Sequence, residues 1–174
     1  MKTWNQFLLE QNEFSSTQIN LPDALANDIK KWGKTFIPDD DLYTENGHGR
    51  EEEIHVTVLY GLHSDDSKEA RDALKDESSM EIELKETSIF ETDKFDVVKF
   101  TVQSKDLVGA NKKLSTCDHT NDHGSYSPHC TIAYVKKGTG KKYTGNKKFD
   151  GVKFTSDTVL FSTPNRDKTK IALH

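Results

Sequence analysis

The amino-acid sequence predicts an α+β protein of two similar lobes, in which two pseudo-symmetric antiparallel sheets line a central groove and helices lie outside. The first observation behind this prediction is a phrase that occurs twice, at His55–Tyr60 (HVTVLY) and His129–Tyr134 (HCTIAY). Both copies read His-x-Thr-apolar-x-Tyr and have the β-branched character of strands. The second observation is that each half of the 174 residues contains one copy. We therefore expect one domain over residues 1–174, built by internal duplication.

Hydrophobic periodicity and turn residues divide the rest of the chain into helices and strands. Pro22 suits the first turn of a helix that Gly33 and Pro38 would close, and Ser64 begins a capping segment for another. The predicted elements are, in chain order, a helix over 3–12, a strand over 14–20, a helix over 22–32, a polar loop over 38–53, the first repeated strand, a helix over 64–75, strands over 80–91 and 95–103, a helix over 105–114, a loop over 117–128, the second repeated strand, a Lys/Gly segment over 136–151, and strands near 153–162 and 168–173.

The repeated strands carry the candidate chemistry. Side chains at positions i and i+2 of a strand leave the same face, so His55 and Thr57 point together, as do His129 and Thr131. Two imidazoles and two hydroxyls directed at one cleft suit phosphate ester chemistry. The alternative is a pair of ordinary strands with polar residues on a solvated face. Strict alternation places the tyrosines of both phrases on the opposite side, beneath the sheet.

Composition predicts a soluble protein of the cytoplasm. Apolar residues make up 33% and charged residues 30% of the sequence, and no apolar run approaches a membrane span. The N-terminus lacks the apolar core of a signal peptide. Two cysteines are too few for a disulfide framework, which suits a reducing compartment, although one bridge between them stays open.

Charge is divided unevenly along the chain. The net charge of −5 combines −13 over residues 1–96 with +8 over residues 97–174. An acidic chain is a poor candidate for gripping long nucleic acid, which requires many Lys/Arg–phosphate contacts. A locally basic second half would attract a small anion with several charges, whereas the alternative is two solvated faces of opposite sign.

The paired phrases resemble those of the 2H phosphoesterase superfamily, which includes 2′-5′ RNA ligase-like proteins, cyclic nucleotide phosphodiesterases and RNA-end processing enzymes. The resemblance covers roughly residues 14–162 and implies a bilobal, metal-independent enzyme without a cofactor. It also implies that His55, Thr57, His129 and Thr131 form the catalytic set. Residues 14–22 and 54–61 further resemble the phage-encoded anti-CBASS phosphodiesterases, which destroy the cyclic oligonucleotide signals of bacterial defence.

Phosphodiester cleavage explains why these residue types are needed. One histidine would activate the attacking oxygen and the other would protonate the departing one, since both protonation states of imidazole are accessible near neutral pH. The two threonine hydroxyls would donate hydrogen bonds to the non-bridging oxygens, where charge develops. The symmetry of the motifs leaves open which histidine is the base.

Other residues are candidates for substrate binding. Phe14 and Tyr126 offer aromatic faces for stacking a base. Lys136 begins a lysine-rich segment, over residues 136–148, that would form a basic lip or lid for additional phosphates; the alternative is a solvated loop. Cys117 and the histidines at 119 and 123 invite a zinc interpretation, but their spacing is not that of a structural zinc site. No metal is therefore expected.

The sequence favours a metal-independent phosphodiesterase that hydrolyses small ribonucleotide signals, above all 3′-5′-linked cyclic di- or trinucleotides. In this case the host bacterial cytoplasm is the expected compartment, and neither long nucleic acid nor a membrane is an expected partner. Two alternatives stay open: an RNA-end enzyme acting on 2′,3′-cyclic phosphates or 2′-5′ linkages, and a non-catalytic sponge that sequesters nucleotides. The sequence leaves the oligomeric state and the preferred nucleobase undetermined.

Overall fold

The computed structural model describes residues 13–121 and 124–174, whose strands form one antiparallel sheet. Its order is β6-β3-β4-β5-β2-β1-β7-β8. The described helices, α1 to α3, pack outside the sheet, and none is long and apolar enough to cross a membrane. The elements are β1 Ser15–Asn20, α1 Asp23–Phe36, β2 His55–Leu62, α2 Lys68–Ala73, β3 Met80–Glu91, β4 Phe95–Gln103, α3 Lys105–Leu114, β5 His129–Lys136, β6 Lys153–Ser156, β7 Thr158–Ser162 and β8 Lys168–Ala172.

The sheet consists of two four-stranded halves that meet between β2 and β5. In each half the repeated strand is innermost and pairs with a preceding strand or hairpin, so the two predicted lobes are confirmed and their sheets are joined. The junction is narrow, because Val56 and Cys130 are the residues paired across it. Both side chains are fully buried in the core, which turns the neighbouring histidines and threonines toward the opposite face.

Beyond this junction, β2 and β5 diverge, and a loop fills the wedge on each side. The loop before β2 bonds to the later part of β5, through Glu51 N–H to the Ile132 carbonyl at 3.0 Å and Tyr134 N–H to the Gly49 carbonyl at 2.8 Å. The loop before β5 bonds in the same way to the later part of β2, with Thr120 N–H donating to the Gly61 carbonyl at 2.9 Å. The two halves therefore match both in their strands and in the loops around the groove.

Helix packing fixes the orientation of the central strands. Gly33 lies inside α1, where an added Cβ would stand 3.4 Å from the Ile132 side chain, so its small size allows the helix to sit close to β5. Ser104 caps α3 by accepting a hydrogen bond from Leu107 N–H at 3.1 Å, and it also donates to the Glu81 carbonyl at 2.6 Å. The cap thus ties the start of α3 to β3.

Three expectations from the sequence need correction or fall outside the described residues. The helix that begins after Pro22 does not close at Gly33, because packing on β5 carries it one turn further. The region 153–162 is two strands, since the chain leaves one half at Ser156 and enters the other at Thr158. The predicted leading helix over 3–12 lies outside the described residues.

Gly61 provides a test of how the loop before β5 is held against β2. Its φ is +98°, and an added Cβ would lie 2.1 Å from the Thr120 carbonyl oxygen. We expect Gly61→Ala to lower the free energy of unfolding by about 2 kcal/mol or more, through both backbone strain and overlap with the loop. Chemical denaturation would measure the loss.

The matched control is Gly109→Ala in α3, where nothing lies within 4 Å of the added Cβ. Replacing a helical glycine by alanine without a clash should stabilise the protein by about 0.5–1 kcal/mol. Equal effects of the two substitutions would contradict the proposed contact between the loop and β2.

Candidate active site

The register between β2 and β5 brings the two predicted motifs together. With Val56 opposite Cys130 in an antiparallel pair, His55 comes opposite Thr131 and Thr57 opposite His129. Directly opposed residues have Cβ atoms about 4.5–5.5 Å apart. The four side chains therefore form a compact square on the groove face, with the histidines on one diagonal and the threonines on the other.

A β-bulge in each repeated strand changes which side chains face the groove. Thr57 pairs with Gln18 but Leu59 pairs with Thr17, so Val58 is an extra residue in β2. The same shift occurs in β5 around Ile132, between Thr131 and Ala133. An extra residue reverses the alternation of the strand beyond it.

The bulges overturn the expectation that the tyrosines of the repeated phrases lie beneath the sheet. Tyr60 and Tyr134 instead line the same cavities as Thr57 and are partly exposed there. The expected position of the tyrosines was wrong because side chains alternate between the two faces only along an unbulged strand. Each motif thus presents three groove residues, a histidine, a threonine and a tyrosine.

Backbone carbonyls orient both imidazoles in the same way. Nδ1 of His55 lies 2.6 Å from the Glu53 carbonyl oxygen, and Nδ1 of His129 lies 3.0 Å from the Ser127 carbonyl oxygen. A carbonyl only accepts, so each Nδ1 carries the proton and donates it. In this tautomer the Nε2 atom of each ring carries the lone pair.

Two cavities adjoin the square of histidines and threonines. One, of about 260 Å³, lies on the His129 side and has walls from Phe90, Tyr126 and the segment 124–127. The other, of about 420 Å³, lies on the His55 side and includes Phe14 and Arg166. They share Thr57, Tyr60 and Tyr134, so the motif residues lie where the two cavities join.

A buried cation, Lys99, lies on the His129 side of the site. Burial, reinforced by the like charges of Lys99 and His55, lowers the pKa of His129 to about 4. Lys99 itself is 6% exposed, and burial lowers its pKa to about 8. Its ammonium donates to the Ser88 hydroxyl at 2.6 Å and lies 4.2 Å from the centre of the Phe90 ring. His129 is consequently neutral at physiological pH.

On the His55 side, two carboxylates lie near the imidazole. Burial disfavours ionisation of Glu53, but hydrogen bonds from Lys168 and Asn20 and the nearby His55 hold the pKa of this carboxyl below its usual value. Burial raises the pKa of Glu51, although the proximity of His55 opposes this effect. The two sides of the groove therefore differ in charge although their backbones match.

Comparison with known proteins identifies the family of this chain. The family model described as anti-CBASS protein Acb1 matches residues 18–167, which include both His-x-Thr motifs. The chain belongs to the Acb1 family of anti-CBASS proteins. No curated protein sequence matches it significantly.

Solved structures confirm the 2H phosphoesterase fold of this Acb1-family chain. TT0787 of Thermus thermophilus is similar with a TM-score of 0.63 and 12% identity, over 92% of this chain and 97% of that one. Escherichia coli LigT in complex with 3′-AMP gives a TM-score of 0.61 and 14% identity, over 92% and 95%. Kluyveromyces marxianus Usb1 with uridine monophosphate gives 0.57 and 7%, over 94% and 99%.

Two of the three residues predicted to bind substrate lie at the groove of this Acb1-family protein. Phe14 lines the larger cavity, with its ring centre 6.1 Å from that of Tyr60. Tyr126 lines the smaller cavity and donates its hydroxyl hydrogen to the Thr57 carbonyl at 2.7 Å, which fixes the loop before β5 to β2. Whether either ring stacks on a base stays a prediction.

Lys136 and the lysine-rich segment lie outside both cavities, so the predicted basic lip stays a prediction that this placement does not favour. Lys136 follows its motif in sequence, but it ends β5 beyond the groove and donates to the Asp40 carbonyl at 2.5 Å. Asp96 accepts hydrogen bonds from the N–H groups of Gly138 and Gly140, both at 2.9 Å, and holds the segment against β4. None of its lysines lines either groove cavity.

Two charged residues, one buried beside the motifs and one in the larger cavity, had no recognisable sequence signal. Lys99 pairs with Thr131, but only the register of β4 on β5 reveals this. Arg166 reaches the larger cavity from the β7–β8 turn, more than 100 residues from His55 in sequence. The zinc interpretation gains no support, because the described residues contain no group of three potential ligands placed around one point, and His123 lies outside them.

Charge reversal of the lysine-rich segment tests the predicted basic lip. Lys142 pairs with Asp41 at 2.6 Å and Lys141 with Glu91 at 3.8 Å, both away from the groove. We expect Lys141→Glu combined with Lys142→Glu to leave KM for any groove substrate within about twofold of wild type, with a small loss of stability. Steady-state kinetics would measure KM, and the double alanine variant is the control. A tenfold increase in KM that appears only on charge reversal, and not in the double alanine variant, would support the predicted basic lip.

Proposed function

We propose that this protein is a metal-independent phosphodiesterase that cleaves 3′-5′-linked cyclic di- or trinucleotides in the host bacterial cytoplasm. The observation that carries the proposal is the square of His55, Thr57, Thr131 and His129 between two cavities, in a chain of the Acb1 family. Membership of an anti-CBASS family favours a small nucleotide signal as substrate. LigT and Usb1, which share the fold, have been crystallised with 3′-AMP and uridine monophosphate, respectively.

The proposed reaction is an in-line transfer at phosphorus. One Nε2 accepts the proton of the ribose 2′-hydroxyl as its oxygen forms a bond to phosphorus. The P–O5′ bond breaks, and the other imidazole donates its Nε2 proton to the departing oxygen. The products are a 2′,3′-cyclic phosphate and a 5′-hydroxyl, after which water can open the cyclic phosphate by the reverse use of the two rings. The threonine hydroxyls donate to the non-bridging oxygens.

The two cavities favour a substrate that extends to both sides of the scissile phosphate. The smaller cavity is bounded by aromatic rings, and the larger is mainly polar and carries charged residues of both signs. A cyclic dinucleotide has a nucleoside on each side of either phosphate, so it would occupy both. A terminal 2′,3′-cyclic phosphate would use the motif residues and chiefly one cavity, which is the distinguishing feature of the RNA-end alternative.

A non-catalytic sponge would also use the groove, but binding alone does not require two imidazoles with the same carbonyl-fixed orientation. Incubation with cyclic dinucleotides in the presence of a chelator, followed by denaturation and chromatography, separates the two functions. Cleaved products support the proposal, and quantitative recovery of intact ligand supports the sponge. Parallel reactions with linear 2′-5′ dinucleotides and 2′,3′-cyclic mononucleotides test the RNA-end alternative.

Removal of either motif histidine should nearly abolish cleavage. We expect His55→Ala and His129→Ala each to lower kcat by about 10²–10⁴-fold, because each removes one proton-transfer group. Thr57→Val and Thr131→Val should each cost about 10²–10³-fold through loss of a donor to the charged oxygens. Single-turnover assays would measure these rates, with His63→Ala, outside both cavities, as the control. A fully active double alanine variant at 55 and 129 would refute the proposed chemistry.

Arg166 offers a test of substrate size. It occupies the left-handed region at φ 66°, in the exposed turn between β7 and β8, and lines the larger cavity. The other cations of this cavity are engaged: Arg50 donates to the Gly33 and Ile37 carbonyls, and Lys168 pairs with Glu53. Arg166 is therefore suited to contact a second, non-scissile phosphate.

We expect Arg166→Gly to increase KM for a cyclic dinucleotide by about 3- to 10-fold, while leaving KM for a chromogenic diester with one phosphate unchanged. Glycine accepts the left-handed conformation, so stability should not fall. Asn165→Gly, in the same turn but outside the cavity, is the matched control. Parallel increases in KM for both substrates would show that Arg166 does not read a second phosphate.

A further inference from the structure

The two halves of the site share a backbone register but not the side chains that flank the motifs. The motif histidine, threonine and tyrosine of β2 each pair with a residue of β1. The same three residues of the motif on β5 each pair with a residue of β4. The matched pairs are Asn20↔His55 with Thr101↔His129, Gln18↔Thr57 with Lys99↔Thr131, and Ser16↔Tyr60 with Val97↔Tyr134. Lys99 therefore occupies in one half the position that Gln18 occupies in the other.

These equivalent residues are both buried, with 6% exposure for Lys99 and 7% for Gln18, but they face different surroundings. The amide of Gln18 donates to Asn20 Oδ1 at 2.7 Å and Glu53 Oε1 at 3.0 Å, within the acidic group beside His55. The ammonium of Lys99 contacts a hydroxyl and an aromatic face, and no carboxylate in the described part of the chain pairs with it. A buried, uncompensated cation is costly, so it points to a functional role.

Phe90 connects Lys99 to His129. The ammonium lies over the Phe90 ring, and the ring meets the His129 imidazole edge to face, with centroids 4.9 Å apart. Within the described residues, the charged or titratable groups that face His129 are Lys99 from β4, His55 from β2, and the phenols of Tyr60, Tyr126 and Tyr134 around the smaller cavity. The cation fixed on the His129 side is thus Lys99.

We propose that Lys99 breaks the chemical symmetry of the two motifs and commits His129 to the role of general base, with His55 as the general acid. A positive charge beside His129 disfavours a second proton on that ring, as the role of base requires. Glu53, which is bound by Lys168 and Asn20, lies on the His55 side, where no buried unpaired ammonium is found among the described residues, and His55 takes the complementary role of acid. Lys99 is a positioning residue, since it acts through His129. This inference rests on the proposed phosphodiesterase function, and its first test below does not.

The first test measures the unliganded protein. We expect NMR titration of the ring resonances to show that Lys99→Gln, which reproduces the Gln18 side, raises the pKa of His129 above its wild-type value. Lys99→Arg keeps the charge and should leave the pKa of His129 low. An unchanged pKa in the Lys99→Gln variant would overturn the proposed coupling whether or not the protein is an enzyme.

The second test follows activity against pH. A base has to be unprotonated, so kcat/KM should rise with pH through the pKa of His129, about 4. In Lys99→Gln this acidic limb should move to higher pH, so that kcat/KM at about pH 5, relative to its own value at about pH 8, falls below the wild-type ratio. Lys99→Arg should restore the wild-type limb. A uniform loss of activity at every pH would indicate a merely structural role for Lys99.

The third test assigns the two histidines by changing the leaving group. A ribonucleoside 3′-(p-nitrophenyl phosphate) retains the 2′-hydroxyl nucleophile but releases p-nitrophenolate, which departs without a proton. His55→Ala should recover most of its lost rate on this substrate relative to a cyclic dinucleotide, whereas His129→Ala should not. The opposite pattern would reverse the assignment and overturn the proposal. If the wild-type protein cleaved neither substrate, the result would instead count against the proposed function.

Discussion

The four His-x-Thr side chains of the groove depend on the antiparallel pairing of β2 with β5 at Val56 and Cys130. Because both of these residues point into the core, the residues on either side of them must point into the groove. Antiparallel order then sets each histidine opposite the threonine of the other motif. The junction is short, so the strands diverge beyond it, and the loops that fill the two wedges supply part of the cavity walls. One pairing thus determines the orientation of the site and the space around it.

The bulges at Val58 and Ile132 show why the strands could be predicted from sequence and their outer positions could not. The alternation rule placed histidine and threonine correctly, because both precede the bulge. It misplaced the tyrosines, because an extra residue reverses the face of everything that follows. A bulge depends on how the neighbouring strand is registered, and no local pattern in HVTVLY or HCTIAY reveals that register. The bounds of β3, β4 and α3, by contrast, were predictable, since each has its own periodicity and, for α3, its own cap.

The charged residues of the site show the same limit. Lys136 was a reasonable expectation from its position next to the second motif, yet the end of β5 carries it out of the groove to the Asp40 carbonyl. Lys99 is 30 residues before His129 in sequence and stands between the apolar Val98 and Phe100 of β4, but pairing brings it beside Thr131. Proximity along the chain predicts neighbours within one strand, whereas a catalytic groove is assembled across strands. The His-x-Thr repeats were recognisable because the same residue pattern occurs twice in the sequence.

The repeat accounts for the backbone register that the two halves share. The side chains that differ between the halves would let one histidine accept a proton and the other donate one. Two identical half-sites would hold two histidines with equal affinity for a proton, and neither would be committed to accepting or donating it. Here burial and Lys99 favour a neutral ring in one half, while Glu53 places negative charge in the other. The burial of an ammonium without a carboxylate costs stability, and a phosphate entering the groove would offset part of that cost. Under the proposed assignment, binding of a phosphate would therefore relieve an electrostatic imbalance on the side of the general base.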